Sequence, residues 1–155
     1  MIRKTHLLII LILLSQCGFK IVDNSLSTFN ISSVEIEGYN KVNFLVKNDL
    51  LSKVDNSKEF NKISISMETN RKKEISEKNI RNEITKYKIS INTKVQIFNS
   101  NNEREKTFNI SKNGDYRVGS TSLQTSKNQD NLEKMLSEEI SKEIKQQLFF
   151  LSNDL

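Results

Sequence analysis

Lys86-Tyr87-Lys88-Ile89-Ser90-Ile91-Asn92-Thr93-Lys94-Val95-Gln96-Ile97 alternates without a break. Odd positions carry Tyr87, Ile89, Ile91, Thr93, Val95 and Ile97; even positions carry lysine, serine, asparagine and glutamine. Successive side chains of a strand point to opposite faces. A period of two over this length therefore predicts a strand with one dry and one wet face. A sheet built around it is covered on one side only.

The flanking segments extend that sheet. Asn99-Ser100-Asn101-Asn102 supplies a turn. Thr107 to Ile110 reads as the return strand, with Phe108 and Ile110 on its dry side, and Asn113-Gly114 as the next turn. Upstream, Ile63, Ile65 and Met67 alternate with polar residues and predict a strand near 60–70. Phe29, Ile31, Ser33, Glu35 and Glu37 share one parity, whereas Val34 and Ile36 share the other. This predicts a first strand with an irregularity near Ser32-Ser33, ended by Gly38 and Asn40.

Two helices complete the pattern. Val42, Leu45, Val46, Leu50 and Val54 fall at helical spacing and predict a helix over 41–54. Phe44 and Leu51 lie nearly opposite that stripe. They are either a second contact within the domain or a partner surface. Leu132, Leu136, Ile140, Ile144 and Leu148 repeat every four residues, joined by Met135 and Leu151, with Asn128 or Asp130 as the cap. The order is strand, helix, three strands, helix. A strand-helix-strand unit within one sheet makes its strands parallel. The last three strands suit an antiparallel meander. The expected fold is α+β, a two-layer sandwich of an about four-stranded mixed sheet with two helices packed on one face.

The N-terminus carries an address. Arg3 and Lys4 precede the apolar run Leu7 to Leu14, and Cys17, the only cysteine, follows shortly after. This run is far shorter than the about 20 residues of a spanning helix, and the pattern is that of a secretory signal. Leu14-Ser15-Gln16-Cys17 looks like a bacterial lipobox, although Gln16 stands where a small residue is usual. Cleavage before Cys17 divides the chain into a lipoprotein signal peptide at 1–16, a lipidated tether at 17–28 and a single domain at 29–155. Gly18, rather than an aspartate, follows the cysteine and resembles an outer-membrane address.

Composition narrows the function classes. The formal charge of +5 falls to +3 once Arg3 and Lys4 leave with the signal. That mild excess weakly favours anionic partners and does not indicate nucleic acid. His6, the only histidine, also lies in the signal. A mature chain without histidine, whose one cysteine is lipidated, has no Ser-His-Asp or Cys-His site and no usual zinc ligands. Gly18, Gly38, Gly114 and Gly119 are too scattered for a phosphate loop. We expect no enzyme, no metal site and no cofactor beyond the covalent lipid.

Four stretches carry a family likeness: Cys17-Gly18-Phe19-Lys20, Ile84 to Ile91, Gly114-Asp115-Tyr116-Arg117 and the final Ile140 to Leu148. In order and spacing the mature chain resembles LptE, the lipopolysaccharide-assembly lipoprotein of the outer membrane. It lacks the proline that members often carry after the Cys-Gly-Phe start. The resemblance implies an outer-membrane lipoprotein that plugs and helps assemble the LptD β-barrel and binds lipopolysaccharide in transit to the outer leaflet. Cationic side chains suit lipid A phosphates and inner-core sugars. The candidates are Arg71, Lys72 and Lys73 after the second strand, and Arg81, Lys86 and Lys88 leading into the third. The first three also read as a solvated turn or edge guard. An accessory lipoprotein adaptor of another envelope complex is the alternative function. A free-standing hydrolase is third, because no catalytic set is visible.

Cys17 should be the mature N-terminus and carry lipid. Mass spectrometry of the N-terminal peptide is expected to show a lipidated cysteine, and Cys17→Ser to leave an uncleaved or lipid-free product. An unmodified Cys17, or cleavage elsewhere, would sink this reading.

Overall fold

The computed structural model describes residues 30–52, 62–101 and 103–153. The signal peptide, Cys17, the tether, Phe29 and Val54 lie outside the described residues. The elements are β1 (Asn30–Gly38), α1 (Asn40–Leu51), β2 (Lys62–Lys78), β3 (Ile84–Phe98), β4 (Arg104–Arg117) and α2 (Ser122–Asn153). They form one four-stranded sheet in the order β1-β2-β3-β4. β1 is parallel to β2, and β2-β3 and β3-β4 are antiparallel. This is the expected α+β sandwich with a mixed sheet.

The period of two holds along β3. Ile89, Ile91, Thr93, Val95 and Ile97 are buried, while Asn92 and Lys94 are exposed. Ile63, Ile65, Met67 and Ile110 join the dry face from the flanking strands. The irregularity in β1 is a bulge between Ile31 and Ser33. One extra residue switches parity, so Ile31 and Val34 both point inward. β1 ends at Gly38, whose φ of +87° suits glycine. A Cβ there would lie 2.2 Å from the Thr69 carbonyl oxygen, the same oxygen that accepts the Tyr39 N–H at 2.8 Å. Gly38 thus lets the chain turn tightly off the sheet into α1.

Val42, Val46 and Leu50 of α1 are buried, while Phe44 and Leu51 are exposed, so among the described residues nothing covers the second side of this helix. α2 buries Leu132, Leu136, Ile140, Ile144 and Leu148. Met135, expected in that stripe, is instead 47% exposed because it turns past the edge of the seam. α2 runs back along β4. Asn128 Nδ2 donates to the Arg117 carbonyl, Leu132 packs over Gly114, and Glu143 pairs with Lys112 at 2.5 Å.

Three boundaries differ from expectation. β2 continues past Asn70 to Lys78, so Arg71, Lys72 and Lys73 lie within the strand. β4 continues through Asn113 and Gly114, which pair with Ser90 and Ile89 rather than forming a turn. Gly114 is there because α2 approaches closely: a Cβ would meet Leu132 Cδ1 at 2.7 Å. α2 begins at Ser122, before the expected caps, because Thr121 Oγ1 accepts the Gln124 N–H at 3.1 Å and Gln124 Oε1 accepts the Ser120 N–H. These contacts cap the helix with polar residues that carry no apolar period.

Ile91 and Ile144 are both fully buried. Replacing either with alanine should cost about 2–5 kcal/mol in chemical denaturation. Ser90→Ala or Asn92→Ala should cost far less. Equal losses at odd and even positions would contradict the register.

Candidate functional site

The dry face is not dry along its whole length. On β2 it passes from Ile63, Ile65 and Met67 to Thr69, whose hydroxyl bonds that of its cross-strand partner Thr93 at 2.9 Å. The next inward positions are Arg71 and Lys73. Both keep the strand's alternation and point toward α2, where polar partners meet them.

Glu133 of α2 is the centre of that meeting, and its side chain is 0% exposed. Its carboxylate accepts from Arg71 Nε at 2.9 Å and lies 2.8 Å from Lys41 Nζ. Tyr39 Oη and Gln129 Nε2 donate to it at 3.3 Å. The Arg71 guanidinium also sits 5.1 Å from the Tyr39 ring centroid. Lys41 reaches Asp130 at 2.5 Å as well. One buried anion with several donors is satisfied, and it ties α1, β2 and α2 together at one point.

Lys73 takes the next place along the strand. Its ammonium lies 4.2 Å from the Tyr87 centroid and 5.4 Å from that of Tyr116, and it donates to Gln129 Oε1 at 3.1 Å. Tyr87 and Tyr116 stack with centroids 5.6 Å apart. A cation held over aromatic faces gains about 0.5–2 kcal/mol. Arg71 and Lys73 therefore have structural partners.

The other four candidates lie elsewhere. Lys72 points to the wet face and pairs with Glu74 at 2.6 Å. Lys88 is on the same face, between its register partners Glu74 and Asp115. Lys86 pairs with Glu77, and this bond, with a second from Thr85, holds the Glu77 carboxyl below the usual glutamate range. Arg81 is exposed in the β2–β3 turn, where Asn79 Oδ1 accepts its backbone N–H at 2.9 Å. The six candidates thus divide among the helix seam, the wet face and the hairpin end.

The hairpin end has its own chemistry. Ile80, Leu123, Ile75 and Val118 are exposed at this end of the sheet, Ile80 completely so. Lys78, Arg81 and Arg117 are exposed there as well, whereas Lys86 is half-buried against Glu77. A cleft of about 380 Å³ opens between Glu77, Glu83, Lys86, Arg117 and Val118. Apolar tips beside exposed cations suit an amphiphile with an anionic head.

Sequence reasoning missed Glu133, Tyr39, Gln129 and the polar seam they begin. The signal was present. Gln129, Glu133, Ser137, Ser141 and Lys145 form a second row at i, i+4 beside the leucine-isoleucine row. Glu133, Ser137, Ser141 and Lys145 are buried. Further along this row, Ser141 and Lys145 both bond Asp49 of α1. The small serines of this row let the two helices approach closely. Among the described residues no group of three or more metal-ligating side chains is placed to hold an ion.

No protein-family model matches the chain. No curated protein matches it. Solved structures do. A chain described as a lipoprotein of Caulobacter crescentus superposes with a TM-score of 0.61 at 11% identity, over 84% of this chain and 95% of that one. Rare lipoprotein B from Shewanella oneidensis gives 0.56 at 14%, over 79% and 97%. An uncharacterized lipoprotein B from Nitrosomonas europaea gives 0.51 at 13%, over 84% and 90%. At these identities the likeness establishes a shared fold.

Removing the buried carboxylate strands its cations. Glu133→Ala should lower stability by about 3 kcal/mol, the low end for a broken buried pair, because Lys41 can turn to solvent. The seam also predicts alkaline lability. Burial disfavours the Lys41 ammonium, but the Asp130 and Glu133 bonds outweigh it and raise its pKa above the ordinary 10.5. Burial first, then the Glu133 charge, pushes the Tyr39 phenol above its ordinary 10.0. Both groups hold their protons more tightly folded than unfolded. Their contribution is complete below about pH 10 and is lost as pH rises through the folded values. Denaturation midpoints should stay flat on approach to pH 10 and fall beyond it, less so in Tyr39→Phe and Lys41→Met. An equal alkaline fall in those variants would contradict this assignment.

Proposed function

We propose that this protein is an outer-membrane lipoprotein that plugs and helps assemble an LptD-like β-barrel and binds lipopolysaccharide on its way to the outer leaflet. One conjunction carries the reading. Cys17 stands behind a short signal in a chain whose domain shares its fold with rare lipoprotein B along 79% of the length. Lipid on Cys17 holds the domain at the membrane, because several acyl chains anchor stably where a single one does not. A sheet face left polar suits the water-filled interior of a barrel.

Within this reading, the hairpin end is the better place for the lipid A portion than the Arg71-Lys72-Lys73 run. Arg71 and Lys73 are engaged by Glu133, Gln129 and the tyrosine rings. Arg81 is exposed beside the apolar tip Ile80. Phosphates would meet the cations there while acyl chains meet the isoleucine.

The test is purification of the tagged lipoprotein from detergent-solubilised outer membranes. A large β-barrel protein should copurify, and depletion should lower the amount of assembled barrel and let lipopolysaccharide accumulate before the outer leaflet. Arg81→Glu with Lys78→Glu should weaken lipopolysaccharide binding several-fold, with less difference at high salt, where exposed charges are screened. Barrel copurification should survive that change. Copurification with a different envelope complex would replace this reading with the accessory adaptor, and a chain that purifies alone would end both.

A further inference from the structure

The wet face of the sheet holds asparagine where strands do not favour it. Asn70, Asn92 and Ser111 lie in one cross-strand row, and Lys94 and Asn109 pair in the next. Together with Glu68 they border a depression of about 390 Å³. Asparagine is depleted in strands, and threonine would satisfy solvent at a lower cost to the sheet. A second contrast separates these residues from the asparagines elsewhere. Asn79 and Asn99 each use their side-chain oxygen to accept two backbone N–H groups in the turns. Among the described residues, the side chains of Asn70, Asn92, Asn109 and Ser111 make no hydrogen bond, and Lys94 makes no ion pair. The platform beneath them is fixed, because β3 is hydrogen-bonded to a neighbour on each side.

We propose that this depression binds a hydroxyl-rich saccharide, lying across β2, β3 and β4 with an acidic substituent at Lys94. Each amide offers donors and an acceptor, which matches a sugar hydroxyl that both gives and takes. Glu68 supplies a further acceptor for hydroxyl protons, and Lys94 supplies the one cation of the depression for a phosphate or carboxylate on the ring. Neighbouring strands are about 4.8 Å apart, close to the length of one sugar unit, so adjacent units meet adjacent strands. Little ordering is required on binding, since the amides project from a hydrogen-bonded sheet. The identification of the ligand as the sugar portion of lipopolysaccharide rests on the proposed function. The saccharide-binding site itself rests on the wet face.

The test uses the full lipoprotein in detergent and a deacylated core oligosaccharide, which has the sugars and acidic groups but no acyl chains. In two-dimensional NMR the side-chain amides of Asn70, Asn92 and Asn109 should shift on titration. Asn70→Thr with Asn92→Thr keeps strand-favouring residues and should weaken binding at least tenfold, with thermal unfolding unchanged or raised. Lys94→Gln should weaken binding of the acidic saccharide more than that of a neutral oligosaccharide. Shifts confined to the turn at Asn79–Glu83, or equal affinity in the double variant, would overturn the site. Barrel copurification measured on the same preparations separates the two claims. Its loss with the shifts retained counts against the proposed function alone, and its retention without shifts counts against this site alone.

Discussion

β3 is hydrogen-bonded on both sides, to β2 and β4, over almost its whole length. Its register therefore fixes the facing of its neighbours. A slip of one residue would send Ile89, Ile91, Val95 and Ile97 to water and bring lysine and asparagine under the helices. The uninterrupted alternation of Lys86 to Ile97 makes that slip prohibitive. The helices follow from this constraint. α1 leaves the sheet at Gly38, α2 returns along β4, and both bury their apolar stripes on the one face that β3 leaves dry.

The seam between the helices and the sheet has two chemistries. Toward one end it is mostly aliphatic, with Met67, Val95, Ile140 and Leu148, apart from the Ser141 and Lys145 bonds to Asp49 where the helices meet. Toward the other it is ionic, around Glu133. A buried ion network is weak evidence for stability, since well-packed apolar residues often do as well. Its effect here is to select one arrangement. Glu133 accepts from groups on α1 and β2 at once, so only one placement of α2 satisfies it. Lys73 between two tyrosine rings and Gln129 continues the same alignment toward the hairpin.

Much of the fold was legible because alternation and helical spacing are local. The meander, the parallel first pair, the bulge in β1 and the apolar row of α2 were all readable. The second half of β2 was not. Arg71 and Lys73 occupy inward positions, and the partners that make this tolerable, Glu133 and Gln129, lie more than fifty residues away in sequence. Gly114 read as a turn because its real cause, the Leu132 side chain, belongs to a later helix. The candidate site was less legible still. Charge alone singled out six cations, but charge does not say which are already paired. Partners inside the fold separate Arg71 and Lys73 from Arg81, and parity separates Lys72 and Lys88 from both.

The fold thus has a sheet face that packs under the helices and a polar sheet face left open to solvent. A photo-crosslinking residue placed at Ser90 in living cells, on the wet face one position along from Asn92 and outside the depression's lining, with one at Met135 on the helix side for comparison, tests this division most directly. The Ser90 position is expected to capture lipopolysaccharide, with Met135 largely silent. Capture of every partner from Met135, with the Ser90 position silent, would contradict it.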